Sequence, residues 1–532
     1  MSGRGAPAGG HLVPLGAWIA GLDAAAIPPS AMQAARLQVL DMAAAVHASA
    51  SSAETLALLT ALPSGAGPST ILATGKRVAA ADAAFVNAAF SMAQDFDDII
   101  WIGHTCHSAV FAALAVAEAE GRSSRDLLAA VVAANEVAGR IGGSTFFGPL
   151  NGQMWTFIHL VGGATAGAYL LGLDAERAAH ALAIALAQPP FALQPAFFTP
   201  TSKFLAAAVP TQIGVQAAYF ARAGMTGALD ILEDRKGFWK RFAFRPLPGV
   251  LSDLGQWWAI GSLAIKTYPC CNYFQTACTA LEAACGDRWP ARPEEVERVV
   301  LHTSKLGLEV TRFAREYAGA DAPLLTPVGA GFDLGLTAAI LLHAGRFTGD
   351  QCEPEWLRAN AAALRRWYAR IDVVHDPALT LRVLDTAWSI DAGRAALKAM
   401  TPRELLRLAR DYRGSYGSTL MASGDVAGWV RAAMTRLREP RGVAAPPPEH
   451  LPIYFPNRVV VRRADGSVAE ERRDLQTGSL AAPTMPAVLE QKFLHETSPR
   501  LGAERARAAL ALGLALDDEP LARFVAALAP PA

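Results

Sequence analysis

The sequence reads as mainly α: a large all-helical domain split around a smaller α+β lid domain. Three observations lead there. Ala-rich runs with helical spacing fill the first half, and no strand-like alternation of any length precedes about position 295. Alternation with a β period then begins at 296–303 (VERVVLHT) and returns at 370–376 and 458–474. From about Met485 the pattern is helical again. This order divides the chain into a disordered tail (1–10), the first part of the helical domain (11–265), the lid (266–475, with a helical insertion near 380–450) and a C-terminal return of the helical domain (476–532).

The elements follow in order. Runs at 32–49, 78–93 and 108–119 read as helices. Ser123 with Asp126 three residues on is a capping-box start, and Leu127, Leu128, Val131 and Val132 supply its apolar face. Asp174 caps a helix over 175–187. Within the lid, 331–343 is an apolar helix, and Thr401-Pro402-Arg403-Glu404 starts another. Residues 440–452 are a Pro-rich linker. Ala464-Asp465-Gly466-Ser467 turns a β-hairpin.

Composition narrows the function. The 532 residues are 52% hydrophobic and 18% charged, enough for a large core. Net charge is zero, with no basic face or arm, which argues against a nucleic-acid partner. Six cysteines in a chain this long read as free thiols in a reducing, cytoplasmic setting. The N-terminal stretch lacks a signal peptide's apolar core. Two stretches without Asp, Glu, Lys or Arg, 141–173 and 178–202, are broken by Gly and Pro and read as core helices rather than membrane spans.

Four clusters could carry chemistry. Lys203 opens a long segment of small residues, and as a lone cation it needs an anion, either a structural carboxylate or a bound substrate. Asp95-Phe96-Asp97-Asp98 precedes His104-Thr-Cys106-His107, the pairing of acid and imidazole that tunes both pKa values. The same His-x-Cys-His run is a weak metal signal without a distant ligand pair. His159 sits in a charge-free segment near Gln153, where a core histidine and a base are both open. Lys266, Tyr268, Cys270 and Cys271 form the fourth; a nearby Lys266 could lower the Cys271 pKa, and the alternative is a buried thiol pair.

These segments resemble the MmgE/PrpD family, which includes 2-methylcitrate dehydratases, cis-aconitate decarboxylases and iminodisuccinate epimerases. The resemblance rests on the stretch from Lys203 to Gly237-Phe238 with its Ile-Leu-Glu-Asp, on Asp95–Asp98, Leu170–Leu173, Lys266–Pro269, His375–Pro377, the 459–474 hairpin and Lys492-Phe493. It implies a helical domain split around a lid with the site between them, a homodimer, and no cofactor or metal. It implies catalytic roles for Asp95, Lys203 and Lys266 and for a histidine, which falls on His104 or His107, with His104 favoured by spacing. A further family histidine falls near Gln153, so His159 is a displaced equivalent or the position is Gln here. Cys271 stands where decarboxylase-like members carry a histidine. His107, Gln153, Tyr268 and Cys271 are then substrate-contacting. The function implied is a hydro-lyase on a small polycarboxylic acid, then an epimerase or racemase, then a decarboxylase; a non-catalytic binding homologue is the alternative. On this reading Lys203→Ala abolishes turnover and leaves stability nearly unchanged.

Overall fold

In the computed structural model the described residues are 10–62, 65–101, 103–149, 156–198, 201–388, 401, 403–404, 407–408, 410–411 and 451–531. Most of the segment expected to be an insertion, most of the Pro-rich linker and Gln153 therefore lie outside the described residues.

Helices dominate, as the sequence predicts. The helical domain uses α1 (Pro29–Ser49), α2 (Ala80–Ala93), α3 (Cys106–Ala119), α4 (Ser124–Ser144), α5 (Ile158–Leu170), α6 (Ala175–Ala185) and α7 (Leu205–Arg222). Ser123 and Asp126 form the expected capping box on α4, a device worth about 1 kcal/mol. Asp174 accepts from the Arg177 amide at the head of α6, which ends two residues earlier than expected, ahead of Pro189 and Pro190. Small residues set how closely the helices approach. A Cβ on Gly163 of α5 would lie 2.8 Å from the Thr211 carbonyl oxygen, and one on Gly214 of α7 would lie 2.4 Å from that of Leu160. That crossing tolerates only glycine, and it fixes the start of α7, just after the turn that holds Lys203.

By length and composition Thr201–Arg222 would suffice to cross a membrane. Much of it is buried, and the buried face (Ala207, Ala208, Thr211, Gly214, Val215, Ala218) packs within the helical domain.

The lid is built on a four-stranded sheet. β1 (Val296–Thr303) pairs in parallel with β2 (Ile371–His375) and antiparallel with β3 (Asn457–Arg463), which pairs antiparallel with β4 (Val468–Arg473). The hairpin turns at Asp465-Gly466, with Gly466 at φ 83°. Around the sheet lie α8 (Gln275–Cys285), α9 (Pro327–Phe332), α10 (Leu334–Ala344) and α11 (Pro377–Trp388).

The single helix expected over 331–343 is two. Asp333 adopts an extended conformation between α9 and α10, and its Oδ1 accepts from the Gly335 amide at 2.9 Å. Arg315 and the Tyr368 hydroxyl hold the same carboxylate. The break turns Gly331 and Phe332 toward the helical domain. At the C-terminus α12 (Met485–Leu501) packs on α1, returning the chain to the first domain.

Candidate active site

A two-residue ladder aligns the acid run with its lysine. Asp98 and Ile99 pair antiparallel with Ile265 and Ala264, so Lys266 falls opposite Asp97, and the Lys266 amide donates to the Asp97 carbonyl at 3.2 Å. The Lys266 ammonium is fully buried. It donates to the Asp95 carbonyl (2.8 Å), Asp95 Oδ2 (2.9 Å) and Asp97 Oδ1 (2.5 Å). Three donors meet three acceptors, so none remains for a ligand.

Lys203 approaches Asp95 from the other side. Its Nζ lies 2.9 Å from Asp95 Oδ1 and 3.3 Å from the Met92 carbonyl oxygen, with the Phe197 and Phe332 rings at 5.4 and 5.1 Å. The anion Lys203 meets is thus the carboxylate of Asp95. Two of its three N–H groups are engaged and one is left over. Burial opposes ionisation of Asp95, but Lys203 and Lys266 outweigh it and hold the carboxyl below its ordinary value. Asp95 also adopts φ 55°, in the left-handed region, an unusual state for a side-chain-bearing residue that asparagine and aspartate tolerate best.

Asp97 links the lysine to the histidines. Its Oδ2 lies 2.6 Å from His104 Nδ1. The same Nδ1 lies 2.8 Å from the Asp98 carbonyl oxygen. Both are acceptors, so Nδ1 carries the hydrogen and Nε2 is the basic nitrogen. Burial again opposes the charge on Asp97, and Lys266 and His104 together hold it well below its ordinary value. Among the three histidines of this region His104 alone keeps some exposure, 7% of its side chain.

His107 is fully buried on α3. Its Nδ1 meets Ser91 Oγ at 2.8 Å, and its Nε2 lies 3.2 Å from Asp97 Oδ2, close enough for charge interaction but poorly aligned for a hydrogen bond. His159 lies deeper, its ring edge-on to His107 with centroids 5.6 Å apart, touching Ser108 Oγ at 3.4 Å and leaving Nε2 without a partner among the described residues. Burial lowers both imidazole pKa values, His159 the further because His107 stands beside it. The structure therefore places His159 in the helical core behind His107, away from the exposed edge of His104.

The fourth cluster divides. Lys266 joins the acids. Burial, with the Glu282 charge of α8 nearby, pushes the Tyr268 hydroxyl well above its ordinary value. Burial pushes the Cys271 thiol up, and the nearby Lys266 offsets little of that, so of the two readings left open the buried thiol fits. The Cys271 amide donates to the Gly331 carbonyl at 2.8 Å, and a Cβ on Gly331 would lie 4.0 Å from Asp95 Cβ. Gly331 thus packs directly against Asp95.

Asp97, Cys106 and His107 offer ligand atoms within 4.8 Å of one another. A cation fits them poorly: Lys266 already neutralises Asp97, and burial with Asp98 and Asp97 nearby keeps the Cys106 thiol protonated. Sequence reasoning passed over Asp97 as a site residue. Its signal was the Asp-x-Asp spacing, which places Asp95 and Asp97 on either side of one lysine.

A cavity of about 220 Å³ reaches Lys203 where the two domains meet. Its lining includes Gln94, Thr201, Lys203, Cys352, Glu353 and Arg358. Arg358 makes no hydrogen bond or ion pair among the described residues.

A helical domain, a small α+β domain and a buried acid–lysine–histidine cluster define the architecture. Residues 13–247 match the MmgE/PrpD N-terminal domain and residues 268–401 match the MmgE/PrpD C-terminal domain. The chain belongs to the MmgE/PrpD family, whose chemistry is of the dehydratase and lyase type. The C-terminal match runs to residue 401, past the start of the segment read as an insertion. A comparison with curated proteins gives no match.

Proposed function

We propose that the protein is a hydro-lyase for a small polycarboxylic acid that works by removing a proton next to a carboxylate. The observation that carries this reading is the 2.6 Å contact between Asp97 Oδ2 and His104 Nδ1. An imidazole held at Nδ1 by the Asp98 carbonyl, with the Asp97 carboxylate beside the same nitrogen, presents Nε2 as a general base, a role worth roughly 10²–10⁴ in rate. His104 Nε2 takes the α-proton, and the electron pair moves into the neighbouring carboxylate to form an aci-carboxylate. Collapse of that species expels hydroxide from the adjacent carbon. Return of the proton on the opposite face would instead be epimerisation, and loss of carbon dioxide would be decarboxylation.

The remaining N–H of Lys203 would stabilise the developing charge. Arg358, in the lining of the cavity and unpaired among the described residues, would take a remote carboxylate. Lys266 has no free donor, so its part is to hold Asp95 and Asp97 in place rather than to bind substrate. Side chains supply every group this reading uses. A homodimer completes the proposal: Val209, Ile213 and Phe220 are exposed along one face of α7, a stripe a second copy would cover.

The test is incubation in D₂O with hydroxy-, amino- and unsaturated di- and tricarboxylates, followed by proton NMR. Deuterium uptake or conversion of one acid supports the reading, and its product names the reaction. Binding of an acid without exchange would replace it with that of a non-catalytic homologue.

A further inference from the structure

The backbone carbonyls of the acid turn are held one by one. Lys266 Nζ takes that of Asp95 at 2.8 Å, and the Lys266 amide takes that of Asp97 at 3.2 Å. His104 Nδ1 takes that of Asp98 at 2.8 Å. The remaining one, Phe96, accepts from Lys492 Nζ at 2.6 Å. Lys492 comes from α12, the C-terminal return, far from the other site residues in sequence.

The same ammonium lies 2.6 Å from Asp41 Oδ1 on α1 and 4.1 Å from the Phe96 ring centroid. Both charged side chains are almost wholly buried, Lys492 at 2% and Asp41 at 0%. Burying an ion pair is costly and seldom adds net stability over apolar residues of the same size. Here it lies behind a turn whose first residue occupies the left-handed region.

We propose that Lys492 is a positioning residue: anchored by Asp41, it fixes the Phe96 carbonyl and so keeps Asp95 and Asp97 aimed at Lys203 and His104. It touches no substrate and acts only through the turn. The inference rests on the proton-abstraction reading for its kinetic consequences and on geometry alone for the rest.

A lone Lys492→Met would leave Asp41 buried and unpaired and could simply unfold the protein. The decisive variant is therefore Asp41→Leu with Lys492→Met, which removes both charges at similar volume. Its melting temperature should stay near that of the parent, while kcat for exchange or turnover falls roughly a hundredfold, as for a catalytic group displaced by about 1 Å, with KM little changed. A crystal structure of the double variant should show Asp95 leaving its φ near 55° and its contacts with Lys203 and Lys266 lengthening. Parental kcat in the stable double variant would overturn the proposal, as would an unshifted acid turn. Should the parent itself show no turnover, the proton-abstraction reading falls, and the position of Asp95 in the variant still decides the role of Lys492.

Discussion

Lys266 Nζ lies 2.9 Å from the Asp95 carboxylate and 2.8 Å from the Asp95 carbonyl oxygen, so one ammonium grips both side chain and backbone of a residue held in the left-handed region. Its third donor goes to Asp97. Burial, with the Asp41 charge nearby, raises the Asp98 pKa well above its ordinary value. Lys203, Lys266 and Lys492 face Asp41, Asp95 and Asp97 in a chain of buried ion pairs. Replacing Lys266 by Met takes one buried cation from two carboxylates at once, leaving Asp95 to Lys203 and Asp97 to His104. It should cost roughly 3–5 kcal/mol of unfolding free energy, the range for breaking a buried pair from one side. Denaturant titration of Lys266→Met measures it; a near-parental midpoint would mean that the acids relax or protonate freely without the lysine.

Lys203→Ala should behave differently. Asp95 keeps Lys266, so only Oδ1 loses its partner. A loss of about 1.5–3 kcal/mol follows for a hydrogen bond to a charged group. This revises the expectation from sequence that stability would hardly change, because the side chain is buried against Asp95 rather than waiting for substrate. Exchange activity should be abolished as well. Thermal unfolding and the D₂O assay run on one preparation separate the two effects, and near-parental exchange would remove Lys203 from the site.

His104 and His159 give opposite expectations. His104→Gln removes the base and should lower exchange by roughly 10²–10⁴ with a small change in melting temperature. His159→Leu fills a core position with similar volume and should keep most of the activity. A His159→Leu variant as inactive as His104→Gln would move the base to α5 and discard the assignment made on burial.

Much of this was legible in the sequence because it is local. The Ser123–Asp126 capping box, the Asp174 cap and the Asp465-Gly466 turn are each decided within a few residues, and alternation fixes the strand at 296–303. The break at Asp333 was not legible, since Arg315 and Tyr368 reach it from other elements. The site was half legible. Asp95, His104, Lys203 and Lys266 could be named from residue type and family resemblance, but not that the lysines face the aspartates. That needs the pairing of 98–99 with 264–265 and the seating of α7 on α5, both long-range contacts. The rank of the histidines depends on burial, which spacing alone does not give: His107 and His159 sit on the inner faces of their helices.

That burial gives a pH test. A histidine in the unfolded chain takes up a proton near pH 6.5. In the folded protein burial, and then His107, lowers the His159 pKa well below that. Its contribution to stability is therefore complete above pH 6.5 and is lost as pH falls, because the unfolded state binds a proton that the folded state does not. Near pH 5 the slope for one such group is about 1.4 kcal/mol per pH unit. His47, lowered to about 4, and His107 act in the same direction, while Asp41, raised to about 6, acts in the opposite one. These are common to parent and variant and cancel in the difference. Between pH 6.5 and 5, His159→Leu should thus gain on the parent by that slope, measured as the difference in unfolding free energy across a pH series. A constant difference would show that His159 ionises in the folded protein, and with it that the ring reaches solvent or an acid by a route the packing of α3 against α5 does not provide.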